Sequence, residues 1–313
     1  MSERRRSPHQ FAVPVRGGDL SVAHWAGAEG PADGPVLVAL HGITANGHMF
    51  APLADALGDG PGPYVPGLYA PDLRGRAESA ALPGPYGLGA HVADVIALLD
   101  HIGRERAVLV GHSMGAFVAA LAAARHPDRV AATVLVDGGL GFPPPETDEG
   151  AGIDALLEAV IGPAMRRLSM TFPDRDSYAG FFAEHPALRP LWNESIRAHF
   201  DRDLVGTPPE LRSSCVVEAV RADGADVLAD PETLGALHRP GPPATLLWAE
   251  RGMLDEPQGL YDEGRIAAAG LDPARVTARR LDGTNHYSVL LAPGSARLTA
   301  DAARVYLGHT PEG

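Results

Sequence analysis

The stretch AVLVGHSMGAFVAALAAARHP, Ala107 to Pro127, decides the fold. A short apolar run, Ala107 to Val110, breaks at Gly111 and resumes beyond Gly115 as an alanine-rich helical pattern that stops at His126 and Pro127: strand, sharp turn, helix. The turn itself, GHSMG, fits the G-x-S-x-G nucleophile elbow, in which the central serine is forced into a strained backbone conformation at a strand's carboxyl end. Its glycines are needed because strand and helix approach too closely there for a side chain. Ser113 then stands exposed at a helix N-terminus, where unpaired N–H groups and the helix dipole favour a developing negative charge. Five matching residues alone carry little weight; the same match between an apolar strand and a helix supplies the context the chemistry requires.

Working outward, 313 residues can bury a large core and suit one domain with an insertion better than two independent ones. The chain is 45% hydrophobic and 21% charged, with a formal net charge of −13; it has no Lys, and all 26 basic residues are Arg. That balance argues against a nucleic-acid partner. The single cysteine, Cys215, excludes an intramolecular disulfide and a Cys-based zinc cluster, and reads as a small buried apolar residue. The start, MSERRRSP, reads as a short disordered tail, since no apolar region follows its arginines as in a secretory signal. No apolar run approaches the roughly 20 residues of a membrane span, so a cytoplasmic protein is expected.

Upstream of the elbow, Gln10 to Val15 and Leu20 to Trp25 read as a hairpin around Gly17, Gly18 and Asp19. Val36 to Leu40 is an unbroken apolar run ending in His41 and Gly42, the pattern of a strand buried on both faces of a parallel sheet. Leu68 to Ala70 reads as a strand, Leu88 to Ile102 as an amphipathic helix and Val130 to Val136 as a further buried strand ending in Asp137. From Leu140 to Arg239 the alternation stops: helical patterns punctuated by prolines, with no good strand, read as an inserted lid, residues 140–239, between core segments 1–139 and 240–313. Strand patterns return at Ala244 to Ala249 and Arg275 to Leu281, then the loop DGTNH and a last helix from Ser295 to Leu307. Strands alternating with helices imply a doubly wound, mostly parallel α/β sheet. HGIT and GHSMG, both at strand ends, offer the two N–H donors that an oxyanion hole needs, from Ile43 and Met114.

With the HG of His41 and Gly42, DLRGRAES after the fourth strand, GHSMG, the helical insertion after the sixth strand and the NH of Asn285 and His286, the chain resembles the alpha/beta-hydrolase superfamily over essentially its whole length. The resemblance implies an eight-stranded sheet and a Ser, acid, His triad in that chain order. Ser113 is the nucleophile, and His286 is the base, set in the loop after the last strand on the elbow's edge of the sheet. Most of the thirteen histidines are filler by this reading, and His41 and His112 shape turns.

The acid has three candidates. Most of the superfamily supplies it after the seventh strand, where this chain has Gly252 in the expected position and Glu250 and Asp255 nearby; a minority supplies it after the sixth, where Asp137 stands. Position favours Asp137. Without Lys there is no Walker A loop, no H-E-x-x-H occurs, YGLGAH is not a dinucleotide fingerprint, and Ser113 argues against relatives with an aspartate nucleophile.

The lid is rich in Phe, Tyr, Trp and Met. Aromatics at helical spacing are more often core than pocket, yet a lid over a site must turn some apolar surface toward it, and Trp192, Tyr178 and Phe181 are the candidate substrate contacts. The expected protein is a serine hydrolase, without metal or cofactor, of a small apolar ester or lactone. Among relatives whose acid follows the sixth strand it is similar to the lactonases that open zearalenone. A non-catalytic hydrolase-fold receptor or binding protein is the competing class, and homo-oligomerisation is left open.

Overall fold

The computed structural model describes residues 6–27, 34–60, 65–142 and 152–308. Residues 1–5 of the expected tail, and residues 143–151 near the start of the expected lid, lie outside the described residues.

Ten strands run through the described residues: β1 (His9–Val15), β2 (Gly18–Trp25), β3 (Val36–Leu40), β4 (Leu68–Pro71), β5 (Ala107–His112), β6 (Val130–Val136), β7 (Leu204–Val205), β8 (Arg212–Ser213), β9 (Ala244–Ala249) and β10 (Val276–Leu281). Eight of them form one sheet in the order β1-β2-β4-β3-β5-β6-β9-β10. The pairs β1/β2 and β2/β4 are antiparallel and the rest parallel, so β2 alone runs against the others.

Every residue of β5 is buried, as parallel strands covered on both faces require. Val108 and Val110 face one layer and Ala107 and Leu109 the other, the two-residue alternation of a strand. The first layer contains α1 (Ala51–Gly58); the second contains α2 (Leu88–His101) and α3 (Met114–Arg125). Leu88, Val92, Val95 and Leu99 of α2 recur at helical spacing and are all buried on the sheet.

Between β6 and β9 lie α4 (Ile153–Leu168), α5 (Arg175–Ala183), α6 (Glu194–Asp201), α7 (Val217–Ala229) and α8 (Pro231–Gly235). The expectation of an insertion without strands needs correction, because β7 and β8 pair within it; two-residue strands are too short to leave a period in the sequence. The helix expected over Glu210 to Ala222 begins later, at Val217, since Arg212 and Ser213 are taken by β8. Beyond β9 come α9 (Glu263–Ala268), α10 (Ser288–Leu291) and α11 (Pro293–Tyr306), the last packed on α1 in the first layer.

The insertion is tied to the core by buried polar contacts. Arg76, fully buried, pairs with Asp223 of α7, and His91 Nε2 lies 3.0 Å from the same carboxylate. Burial alone would raise the Asp223 carboxyl, but Arg76 and His91 hold it well below the usual carboxylate range. Asn46, after β3, donates to the His199 carbonyl at 2.9 Å, and Ser214 Oγ accepts from Ala77 N–H at 2.9 Å.

Candidate active site

The parallel strands end together. Leu40 pairs with Gly111, His112 with Val136, Val136 with Leu247 and Leu281 with Ala249, so the residues that follow β3, β5, β6, β9 and β10 emerge at one edge of the sheet. The five segments carrying Ile43, Ser113, Asp137, Glu250 and His286 are therefore neighbours by topology.

Ser113 caps α3 with φ 55° and ψ −123°, a conformation that costs on the order of 1–3 kcal/mol and persists only where the surroundings enforce it. They do so here: a Cβ on Gly115 would run into the Leu40 carbonyl, and one on Gly111 into the Gly115 carbonyl. The Ser113 N–H is held by the Val136 carbonyl at 3.0 Å. Met114 opens α3, so its N–H is one of those a helix start leaves without an intrahelical acceptor. Ile43 lies in the turn closed by Ala45 N–H to the Gly42 carbonyl, 3.1 Å, and its own carbonyl accepts from Arg76 Nε at 2.9 Å.

His286 Nδ1–H donates to Asp137 Oδ2 at 2.7 Å; the histidine is 5% exposed and the aspartate 0%. The other oxygen, Oδ1, accepts from Ala249 N–H at 3.0 Å, so both oxygens of this buried carboxylate are engaged. His112 Nε2–H donates to the His286 carbonyl at 2.8 Å, fixing the loop that carries the imidazole. Burial pushes His112 down to about 3 and keeps it neutral. His41 is also neutral: its Nδ1–H donates to the Gly42 carbonyl and its Nε2 accepts from Leu73 N–H, each at 2.8 Å, and burial drives it well below 6.5.

The other two acid candidates are engaged elsewhere. Asp255 pairs with Arg251 at 2.9 Å and accepts from Asn285 Nδ2 at 3.0 Å; Glu250 accepts from Gly283 N–H at 2.7 Å. Gly252 meets the histidine loop only through its carbonyl, 3.4 Å from His286 N.

A cavity of about 310 Å³ opens on this edge. Ser113, His286, His112 and Ile43 form its floor, and the insertion forms much of its wall through Val160 to Ala164, Arg167, Phe181, Phe182, His199 and Phe200. Of the expected substrate contacts, Phe181 lines it. Tyr178 does not: it is 0% exposed, donates to Asp203 and accepts from Arg167 Nη1 at 2.8 Å, inside the insertion's own core. Trp192 is set back, stacked against Phe200 with centroids 5.9 Å apart.

Sequence reasoning misses the wall segment around Ile161, whose φ −130° and ψ 31° break α4 next to Pro163. The proline is the available signal, since it removes an N–H and clashes with the preceding turn. Arg76 is missed as well, as a support of the Ile43 turn. Met253 and Leu254 of the cavity lie in the segment MLDEPQG, whose acid alone stands out in the sequence.

A family model of the alpha/beta hydrolase fold matches residues 35–293. Lipase LipV of Mycobacterium tuberculosis is 32% identical over 231 residues, 67% of this chain and 81% of that protein. The magnesium-chelatase 30 kDa subunit of Rhodobacter capsulatus is 34% identical over 304 residues, 88% of this chain and 89% of that one. The crystal structure of E-2-(acetamidomethylene)succinate hydrolase superposes with a TM-score of 0.73 at 22% identity, covering 96% of this chain and 100% of that chain, a likeness of fold.

Proposed function

Because this chain belongs to the alpha/beta hydrolase family, we propose that it is a serine hydrolase of carboxylic esters, working through an acyl-enzyme on Ser113 with His286 as base and Asp137 as the acid. The observation that carries this reading is the 2.7 Å hydrogen bond between His286 Nδ1 and Asp137, at the strand edge where Ser113 is held strained at a helix N-terminus. A serine hydroxyl is a poor nucleophile until a base takes its proton. With Nδ1–H given to Asp137, Nε2 is left as the basic nitrogen, and the fully buried carboxylate steadies the imidazolium.

As Ser113 Oγ bonds to the ester carbonyl carbon, its proton passes to His286 Nε2 and the carbonyl oxygen becomes an oxyanion between the Ile43 and Met114 N–H groups. Collapse breaks the bond to the alkoxy group, which leaves with the proton from Nε2. Water, deprotonated by His286, then releases the acid. Side chains and backbone donors supply every step, so the reaction calls for no metal or cofactor.

The helical insertion, residues 140–239, acts as a lid whose Phe181, Phe182 and Phe200 favour an apolar substrate. The protein works in the cytoplasm; among the described residues no helix is long and apolar enough to cross a membrane. Lactones, the macrocyclic zearalenone type included, fall within the same chemistry.

A second reading, a binding protein on the hydrolase fold, draws on the likeness to a magnesium-chelatase subunit over 88% of this chain. A panel of linear esters of varied chain length beside small and macrocyclic lactones, run with a fluorophosphonate label, separates the two. Turnover and labelling together support the hydrolase; saturable binding of an apolar ligand with neither supports the second reading.

A further inference from the structure

Ser113 stands between two hollows. The larger is the cavity of about 310 Å³ that has His286 and His112 in its floor. The smaller, about 50 Å³, lies between α3 and α7, lined by Met114, Phe117, Phe142, Val227 and Leu228, with Asp137 at its border. Ile43, Ser113, Val160, Ile161 and Met253 belong to both, so the two meet at the serine. His286 is not among the described residues of the smaller hollow.

The chemistry of serine ester hydrolysis tells the hollows apart, and the assignment of each hollow rests on the proposed function. The tetrahedral intermediate carries four groups: Ser113 Oγ, the oxyanion at Ile43 and Met114, the alkoxy oxygen and the acyl chain. The alkoxy oxygen must collect the proton that His286 took from Ser113, so it lies on the His286 side, in the larger hollow. The reverse placement would expel an alkoxide with no acid within reach. We infer that the smaller hollow is the acyl pocket, and that the substrate joins a short, uncharged acyl group to a bulkier apolar alcohol.

Size limits the acyl group. One water-sized centre needs roughly 10–15 Å³, so the smaller hollow holds about four, enough for an acyl chain from acetyl to butyryl or slightly longer. Charge limits it too. The walls are otherwise apolar and Asp137 borders them, with no Arg among the described lining residues, so a second carboxylate on the acyl chain would be desolvated next to a like charge. A macrocyclic lactone, whose acyl chain is the ring itself, fits this pocket less well than a simple butyrate.

The experiment compares p-nitrophenyl acetate, butyrate, hexanoate and octanoate for the acyl side, and ethyl, hexyl and 1-naphthyl butyrate for the alcohol side, in the native enzyme and in Leu228→Ala, Leu228→Phe and Phe181→Ala. Leu228 is a partly buried residue of α7, so its replacement spares the core. In the native enzyme kcat/KM falls at least about tenfold from butyrate to octanoate, the scale set by one or more methylenes in a tight apolar pocket. It does not fall from ethyl to naphthyl butyrate. Leu228→Ala raises the hexanoate-to-butyrate ratio, Leu228→Phe lowers the butyrate-to-acetate ratio, and neither shifts the alcohol ratios, which respond to Phe181→Ala. The opposite pattern, with acyl preference following Phe181 and alcohol preference following Leu228, overturns the pocket assignment and leaves the hydrolase reading standing. No turnover of any ester by the native protein overturns both.

Discussion

Replacing Asp137 by Asn keeps the shape of the side chain and removes its charge, and the surroundings dictate how the amide must sit. One carboxylate oxygen accepts from Ala249 N–H at 3.0 Å and the other from His286 Nδ1–H at 2.7 Å, in a site with no exposure. If the amide NH2 faced Ala249, two donors would meet and a buried N–H would go unpaired, a loss of about 1–3 kcal/mol. The amide oxygen therefore stays on Ala249 and the NH2 turns to His286. A donor there demands a bare Nδ1, which moves the imidazole proton to Nε2, the nitrogen that must accept the proton of Ser113. The expected loss in kcat is about ten-thousand-fold, the scale of a triad whose histidine is held in the wrong tautomer, or about 5 kcal/mol of barrier. The assay is kcat for p-nitrophenyl butyrate beside a melting curve, since the retained Ala249 contact should preserve the fold. Asp255→Asn and Glu250→Gln serve as controls and should stay within about tenfold, because their partners are Arg251, Asn285 and Gly283. A fall of less than tenfold in Asp137→Asn, or a larger fall in either control, refutes the reasoning.

Other outcomes depend on the same kinds of contact. Phe181→Ala, at a residue 37% exposed on the cavity wall, should alter substrate preference and barely move the melting temperature, whereas Tyr178→Ala should cost about 3–5 kcal/mol of stability and leave relative specificity unchanged; early melting of the Phe181 variant with native specificity would count against the lid's role. Arg76→Ala takes the guanidinium from the buried Asp223 carboxylate and leaves it only the His91 imidazole and the Gly87 N–H, so it should cost up to about 3–5 kcal/mol in urea unfolding, and a loss below about 1 kcal/mol would show that the Arg76 pair contributes little. His112 and His199 are buried and neutral, pushed down to about 3 by burial, while the unfolded chain returns them to about 6.5. Their contribution to stability is thus fully present above pH 6.5 and is lost as pH falls toward 3, because the unfolded state binds protons that the folded state refuses; the slope is up to about 1.4 kcal/mol per pH unit for each histidine. Urea unfolding between pH 7.5 and 5 should show it, and His199→Gln should flatten it; an unchanged slope in that variant contradicts the assignment.

How much of this the sequence reveals depends on the range of the contact involved. Val36–Leu40 and Val130–Val136 are legible as strands because parallel strands covered on both faces are continuous apolar runs, and the observed bounds coincide with the runs. The elbow is legible because its motif is short and contiguous, even though only the Gly111 crowding, against the Gly115 carbonyl, is local and Gly115 answers the Leu40 carbonyl at the end of β3. The proposed acid is legible in part: position at the end of β6 singles out Asp137 from three candidates, but Asp137 and His286 are 149 residues apart, and the register of β6 beside β9 and β10 is what brings that carboxylate against the imidazole. The aromatics of the insertion are not legible at all, because their contacts are long-range and nothing in their spacing ranks them. Tyr178 and Phe181 sit on the same short helix and look alike in sequence, but Tyr178 turns toward Asp203, 25 residues on, and Phe181 toward the cavity. Arg76 stands within the DLRGRAES segment, yet its role emerges only when Ile43 and Asp223 close around it.

The most direct test of the central claim is peptide mass spectrometry after fluorophosphonate treatment, with Ser113→Ala alongside. The account predicts a single adduct on the peptide carrying Ser113, formed in step with the loss of esterase activity, and a variant that is folded, unlabelled and about a million-fold slower. An adduct on another residue, or a Ser113→Ala protein that still cleaves esters at a near-native rate, would contradict it.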